Sequence, residues 1–319
     1  MNYLLQRLLT FPLVLLGVSL LVFFAIRLVP GDAIIAMLGT EAGLLTDAQR
    51  ASLAAYFGLD QPVVVQYGRW LAGLFQGNLG ISTTYGKPVL EVIIARFPLT
   101  IELALLSMVI ALAVGVPAGV FAATRNNRPS DLVVRLFAML GQSTPSFVFG
   151  LVLIYLLSVN FHVLPAMGSF TPLFVDPLGN LAQMILPSIT LGFAFAAAVT
   201  RISRSAMLDV LSDDYVRTAR SKGASQRDVV WKHALPNALI PVVTLSGVEF
   251  GYLLGGAVIV EQIYALPGLG RLTLDAISQR DYALVQGAVL FIAFNFLVVN
   301  LLVDLAYAAL DPRIRLGGR

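Results

Sequence analysis

Apolar and polar positions along this chain do not alternate with a strand or amphipathic-helix period; they fall into long charge-free blocks. Leu8–Ile26 runs for 19 residues without Asp, Glu, Lys or Arg, Leu103–Thr124 for 22, Pro177–Thr200 for 24 and Tyr282–Val303 for 22. Leu136–Val175 runs for 40, too long for one crossing; Pro165 and Pro172 predict a helix that stops near Ser158 and an uncharged loop beyond it. Ala234–Val248 (15 residues) and Phe250–Val260 (11) are separated by Glu249 alone. About 20 apolar residues cover a ~30 Å hydrocarbon core, and at these lengths only a helix satisfies its own backbone in lipid. The pattern predicts an all-α integral membrane protein with six transmembrane helices. The first block reads as a retained span, because its 19 residues exceed the ~7–15 of a signal-peptide core and Arg27-Leu28-Val29-Pro30-Gly31-Asp32 offers no small-x-small cleavage site.

Composition strengthens this class. Of 319 residues, 58% are apolar and 12% charged, against roughly 45–50% and about 25% in soluble domains. A net charge of +3 leaves no basic excess for neutralising phosphates, which argues against a nucleic-acid partner. With no Cys there is neither a disulfide framework nor a thiolate metal site. His162 and His233 are 71 residues apart and fall on opposite sides in this topology, so they cannot share a metal. Basic residues set the orientation. With both termini on one side, that side holds 14 of the Lys and Arg residues in its short segments and the other side 7. Both termini are therefore expected in the cytoplasm, with 31–98 and the loops near 159–181 and 261–281 outside.

Two segments between the spans have structure of their own. In 31–98, Thr46-Asp47-Ala48-Gln49 reads as a capping box, with Gly58 as a stop. Pro62 opens a helical segment to Phe75, and Pro88 opens another through Ile94 toward Pro98. This small helical cap either shields the bundle or receives a soluble partner. In 205–236, Asp213-Asp214 precede a helical stretch that ends with Arg220 and Lys222, charges that suit the helix dipole. Gly223 supplies a left-handed C-terminal cap. Ser225-Gln226-Arg227-Asp228 restarts a helix that runs to about Leu235, where Pro236 leads into the fifth span. Two short helices with a glycine elbow either lie flat as a basic surface helix or form a rigid protrusion that inserts into a groove on another protein.

Within the spans, an acid such as Glu249 costs about 2.5–3.5 kcal/mol on insertion scales and rarely faces lipid. Gly247, Gly251 and Gly255 repeat every four residues, a ridge for close helix packing. Glu249 lies about 200° around the helix from Gly247, so it points away from the ridge, either to contact a cationic group of a substrate or to fix the bundle as a hydrogen-bonded carboxyl. Asn295 and Asn300 in the sixth span and Gln142 in the third read first as interhelical hydrogen-bonding groups; Asn295 and Gln142 are also candidates for a substrate path. Pro117 and Pro145 are expected to bend their helices. No nucleophile–base pair and no paired catalytic carboxylates stand out, so an enzyme is not expected.

The elbow resembles the cytoplasmic loop of permease subunits of ABC importers of the dipeptide/oligopeptide/nickel type, in which Glu-Ala-Ala is followed by three residues, Gly, nine residues, Ile, one residue and Leu-Pro. Gly223, Leu235 and Pro236 match, as does Ala219; Arg217, Thr218 and His233 stand where the family has Glu, Ala and Ile. Tyr215 precedes the motif and Ala224 follows its glycine, and the string Asp214–Gly223 is typical of the peptide branch. The resemblance extends to Phe23–Asp32, Gly58-Leu59-Asp60-Gln61-Pro62, Gly77-Asn78-Leu79-Gly80, Pro267-Gly268-Leu269-Gly270-Arg271 and Leu310-Asp311-Pro312-Arg313, nearly the whole chain. It implies a type I importer permease fold in a bacterial inner membrane: tail and first span at 1–30, extracytoplasmic helical segment 31–98, core 99–308 and cytoplasmic tail 309–319. It further implies a second, homologous permease, two ABC ATPase subunits that grip the elbows, and a solute-binding protein outside. ATP and Mg would bind those ATPases, since this chain has no Gly-x-x-x-x-Gly-Lys-Ser/Thr loop. Arg217 in place of an acid implies a less basic ATPase face at that contact. Peptides are the implied cargo; nickel, glutathione and oligosaccharides are carried by similar permeases. A self-sufficient secondary carrier is the alternative, but it would be expected to show an inverted internal repeat.

Overall fold

The computed structural model describes residues 3–28, 46, 48–49, 52, 60–165, 170–255 and 257–310. Gly58 lies outside them. Two compact units emerge, Met1–Pro98 with Gly268–Leu297, and Leu99–Pro267 with Val298–Arg319. The helices are α1 (Tyr3–Leu28), α2 (Val63–Phe75), α3 (Val89–Thr124), α4 (Pro129–Ser143), α5 (Ser146–Leu153), α6 (Pro177–Leu211), α7 (Asp214–Ser221), α8 (Leu235–Leu254), α9 (Val258–Ile263), α10 (Leu269–Ser278) and α11 (Tyr282–Leu310).

In the first unit, α1 and α2 meet through an aromatic cluster. Phe23, 1% exposed, has its ring 5.1 Å from Tyr67 and 5.4 Å from Trp70. The Ser19 and Tyr67 hydroxyls share a 2.8 Å hydrogen bond. The Arg27 guanidinium sits 3.4 Å over the Phe23 ring and donates to Gln66 Oε1 at 2.8 Å, so a basic residue at a span end keeps its charge satisfied while its stem covers apolar surface. A second core joins the first turns of α3 to α10 and the start of α11 through Val89, Ile93, Leu269, Leu272, Leu284 and Ala288.

Between these cores, the chain at 80–88 turns back on itself. Ser82 N–H donates to the Lys87 carbonyl, Gly86 has φ +62, and Ile81 bridges Pro88. The fully buried Asp281 carboxylate holds this turn. It accepts from Ser82 Oγ (2.5 Å) and from the backbone N–H groups of Thr84 (3.0 Å) and Leu284 (3.1 Å). The last of these makes Asp281 the N-cap of α11. Farther up the chain, Thr46 and Gln49 make the reciprocal capping-box bonds, Thr46 N–H to Gln49 Oε1 at 2.9 Å and Gln49 N–H to Thr46 Oγ1 at 3.3 Å.

In the second unit α6 packs against α4, α5 and α8. Asp176 caps it, accepting from Gly179 N–H at 3.1 Å, and Pro177 opens its first turn. Lipid supplies no hydrophobic force between helices, so association rests on close approach of small residues. A Cβ at Gly119 of α3 would lie 2.7 Å from the Thr200 carbonyl of α6, and one at Gly150 would lie 2.9 Å from Thr190 Cγ2. Buried polar groups find partners here too: Tyr264 Oη pairs with Thr190 Oγ1 (2.8 Å) and the Gly150 carbonyl (3.3 Å), and Glu261 accepts from Thr100 Oγ1 at 2.9 Å.

Among the described residues four helices, α3, α6, the helix from Gln226 to Leu254, and α11, are long and apolar enough to cross a membrane. The first expected span is α1, with a shorter apolar stretch at Thr10–Ala25. The structure corrects the sequence in three places. The third span is not one helix: at Pro145, the site of an expected bend, α4 and the helix Ser146–Asn160 meet at 102°, a break rather than a bend. Thr144, preceding Pro145, is extended (φ −86, ψ 121), as the clash of a proline ring with its predecessor demands. The expected separate helix from Pro88 to Pro98 is absent, since α3 runs unbroken from Val89 through Pro98 and Pro117. The fifth span stops at Leu254, short of the expected Val260, and α9 follows as a separate short helix.

Asp281→Ala strips a fully buried acceptor from three donors. With charged hydrogen bonds worth about 1.5–3 kcal/mol each, it is expected to cost roughly 3 kcal/mol. Thermal unfolding in detergent should show the loss, and limited proteolysis should cut at 82–86; Asp281→Asn should lose less.

Candidate functional site

The elbow residues form one continuous exposed feature rooted in the second unit. α7 ends in a Schellman motif: Gly223 (φ +84) donates its N–H to the Arg220 carbonyl at 3.0 Å, and Ala224 N–H reaches the Ala219 carbonyl at 3.2 Å. That conformation costs an L-residue about 1–2 kcal/mol, which is the reason for glycine. Ser225 caps the next turn, its Oγ accepting from Asp228 N–H at 3.1 Å and donating to Asp228 Oδ2 at 2.6 Å. The helix from Gln226 does not end at Pro236. It passes through a π-turn at Val229–Ala234, where Leu235 N–H bonds the Val230 carbonyl, and continues as α8. The shift of register places Pro236 in the first turn of α8, where its missing N–H costs nothing. The expected boundary at Pro236 is thus a change of helix type.

Val216, Val229, Val230 and Ala234 are buried, and the last two join Val120 and Ala123 of α3, Ala206 and Met207 of α6 and Ala238 of α8 in one core. Tyr215 ties the two halves of the elbow together: its hydroxyl donates to the His233 carbonyl at 3.3 Å and accepts from Asn237 Nδ2 at 2.8 Å. Arg217 and Thr218 are exposed, with Arg217 3.4 Å from Asp214. Lys232 pairs with Asp228, and Trp231, 53% exposed, stands out from the surface. His233 takes part through its carbonyl, which accepts from the Tyr215 hydroxyl. The result is a small polar protrusion with two exposed aromatics, Tyr215 and Trp231, stiffened by two caps and a hydroxyl bridge.

The candidate path residues are placed separately. Glu249 is half-buried on α8, with Thr244, Val248 and Tyr252 exposed on neighbouring positions. Gly247 and Gly251 are buried; a Cβ on Gly247 would overlap Val303 of α11. Gly255 caps α8 in the ordinary helical region (φ −68). An apolar cavity of about 620 Å³ opens beside this ridge, lined by Leu112, Val116, Ser246, Gly247, Phe250 and Val303 among others. Glu249 is not among its lining residues. Gln142 is exposed on α4. Asn295 donates Nδ2 to the Phe291 carbonyl of its own helix at 2.7 Å, so this bond joins no second helix. Among the described residues no three His, Asp or Glu side chains gather as a metal site.

The sequence reading missed several buried ionic groups. Asp131 and Arg204 form a two-point fork (2.6 and 2.8 Å), and Glu261 and Asp281 are fully buried acids. Asp281, placed just before an apolar run, carried a readable N-cap signal. Asp131 and Arg204 are 73 positions apart, and nothing local pairs them.

An all-α bundle of long apolar helices with this elbow is the build of an ABC importer permease, and the chain belongs to that family. Residues 115–316 match the family described as binding-protein-dependent transport system inner membrane component, and residues 1–104 match its N-terminal companion. The chain is 43% identical over 316 residues to the glutathione transport system permease protein GsiC of Salmonella paratyphi A, covering 99% of both. It is 42% identical, over the same share, to that of Escherichia coli strain K12. Among solved structures, an inward-facing MetNI methionine ABC transporter chain superposes with a TM-score of 0.55 at 17% identity, covering 69% of this chain and 96% of that one. An amino acid ABC transporter chain reaches 0.50 at 20% identity, covering 70% and 94%. The protein is a multi-pass inner-membrane permease component of an ATP-driven importer with the type I permease fold, a kind of subunit that works with ATPase subunits and a binding protein.

Gly223→Val forces a β-branched residue into the left-handed region and should unseat the Schellman cap. The variant should insert at the normal level, while solute uptake by the assembled transporter falls about tenfold or more, the size of a coupling free energy of roughly 1.4 kcal/mol. Gly223→Asn should lose less, since Asn tolerates that region.

Proposed function

We propose that this chain forms one half of the passage for a short peptide-like solute, glutathione being the first candidate, and that its elbow is the handle through which separate ATPases drive it. The observation that carries this reading is the stiff, exposed protrusion at Asp213–Pro236 rooted in the core shared by α3, α6 and α8. A flexible loop would absorb an imposed displacement; this one is capped at Gly223 and Ser225 and bridged by Tyr215. In this reading both termini and the elbow are cytoplasmic, in keeping with the excess of Lys and Arg there. Two ATPase subunits bind ATP and Mg, a second homologous permease supplies the other wall of the passage, and a binding protein delivers solute from outside. The exposed apolar side chains of α4 and α5, Phe137 and Leu151 among them, face lipid or the second permease.

The 43% identity to a glutathione permease supports a γ-linked tripeptide or a similar short peptide as cargo. Such a solute carries one ammonium group. Glu249, half-buried on α8 with exposed Tyr252 three residues on, is suited to attract that cation where water is scarce.

The test is uptake of radiolabelled glutathione by the complete transporter reconstituted with its binding protein. Saturable, ATP-dependent uptake is expected. Glu249→Gln should raise half-saturation about tenfold, the value of one charge-assisted contact of ~1.4 kcal/mol. Absence of glutathione uptake would remove the cargo proposal; normal uptake by Glu249→Gln would remove Glu249 from the path.

A further inference from the structure

At the corner between α3 and α4, the Asp131 side chain is completely buried. Its Oδ1 receives Arg204 Nε at 2.6 Å and lies 3.7 Å from Arg135 Nε, and its Oδ2 receives Arg204 Nη2 at 2.8 Å and Asn127 N–H at 3.0 Å. Arg204 Nη2 also donates to Asn126 Oδ1 at 3.0 Å. All these donations converge on one short turn, in which Asn127 is held at φ +61. Arg204 sits on α6, about two turns before the helix ends at Leu211 and the elbow begins. On the other side of the same stretch, a Cβ at Gly119 would lie 2.9 Å from the Arg204 backbone nitrogen. The last turns of α6 are therefore clamped between α3 and the α3–α4 corner, while Ala206 and Met207 share a core with Val230 and Ala234 of the elbow.

A buried ion pair adds little net stability compared with an apolar pair of the same shape. What a two-point fork adds is orientation, because planar guanidinium and carboxylate lock at one angle. Built here, it removes the hinge that the α3–α4 corner would otherwise provide.

We infer that Asp131 and Arg204 are positioning residues for coupling: their fork makes the corner, α3 and α6 move as one piece when the elbow is displaced. This rests on the elbow being the ATPase handle. Broken, the fork leaves the elbow attached to its motor while part of the displacement is lost in the corner. The neighbouring charges, Arg135 at 3.7 Å included, tune the pair but do not span two helices.

The experiment measures solute moved per ATP hydrolysed by the complete reconstituted transporter. Arg204→Lys keeps the charge but cannot make the fork; the double variant Asp131→Leu with Arg204→Met removes the fork without stranding a buried charge. Both should retain co-purified ATPase and basal hydrolysis within about twofold, while solute per ATP falls about fivefold, the size of a modest coupling free energy. A wild-type ratio in the double variant would overturn the inference, reducing the pair to a fold-stabilising contact. So would failure of the double variant to assemble. Gly223→Val serves as the control: if it alone loses the ratio, the elbow reading stands without the fork; if it too keeps the ratio, the elbow reading falls.

Discussion

A protrusion can transmit force into a membrane protein only if its own backbone cannot yield first. Here that condition rests on the left-handed turn at Gly223. With φ at +84 the chain reverses tightly enough for both carbonyls at the end of α7 to be satisfied, and Ser225 closes the next helix start three residues on. The buried Val230 and Ala234 then bring the protrusion down onto the ends of α3 and α6. The eight-residue first half, α7, would not be stable alone, since a helix this short is marginal in water. Together with the Tyr215 bridge they form a piece that is exposed for contact and fixed to what lies beneath it.

The rest of the second unit carries this constraint inward. Without a hydrophobic force between helices in lipid, the bundle relies on glycine contacts at Gly119, Gly150 and Gly247 and on polar pairs that have no better partner in the bilayer. The Asp131–Arg204 fork, the Tyr264–Thr190 bond and the Glu261–Thr100 bond each join segments distant in sequence. They specify which helix lies beside which, a task that uniformly apolar surfaces cannot perform.

Much of this was legible in the chain. The charge-free blocks located the helices, and Gly223, Asp213, Ser225 and the box at Thr46 and Gln49 announced their termini through local chemistry. What could not be read was anything set by tertiary packing. Pro145 breaks its span into two helices at 102°, whereas Pro98, Pro117 and Pro236 are accommodated within helices. A proline removes one donor in every case, and neighbouring structure decides whether that bends, breaks or is absorbed. The ridge at Gly247 was visible from its spacing of four, and Gly255 proved to end its helix rather than extend the ridge. Asp131 and Glu261 pair with residues 73 and 161 positions away, beyond any local signal. For Glu249, the sequence told that an acid sits in a span, and the structure adds only that it lies off the apolar cavity beside Gly247.

Because the chain contains no Cys, single cysteines can be placed without background. Thr218→Cys and Trp231→Cys in the assembled transporter, each labelled with a maleimide that carries a short photoreactive arm and then irradiated, test the central claim most directly. Cross-linking of both positions to an ATPase subunit, together with protection from a membrane-impermeant maleimide added outside, is the result expected of a driven handle. Labelling of either position from the outer face, with no ATPase adduct, would contradict it.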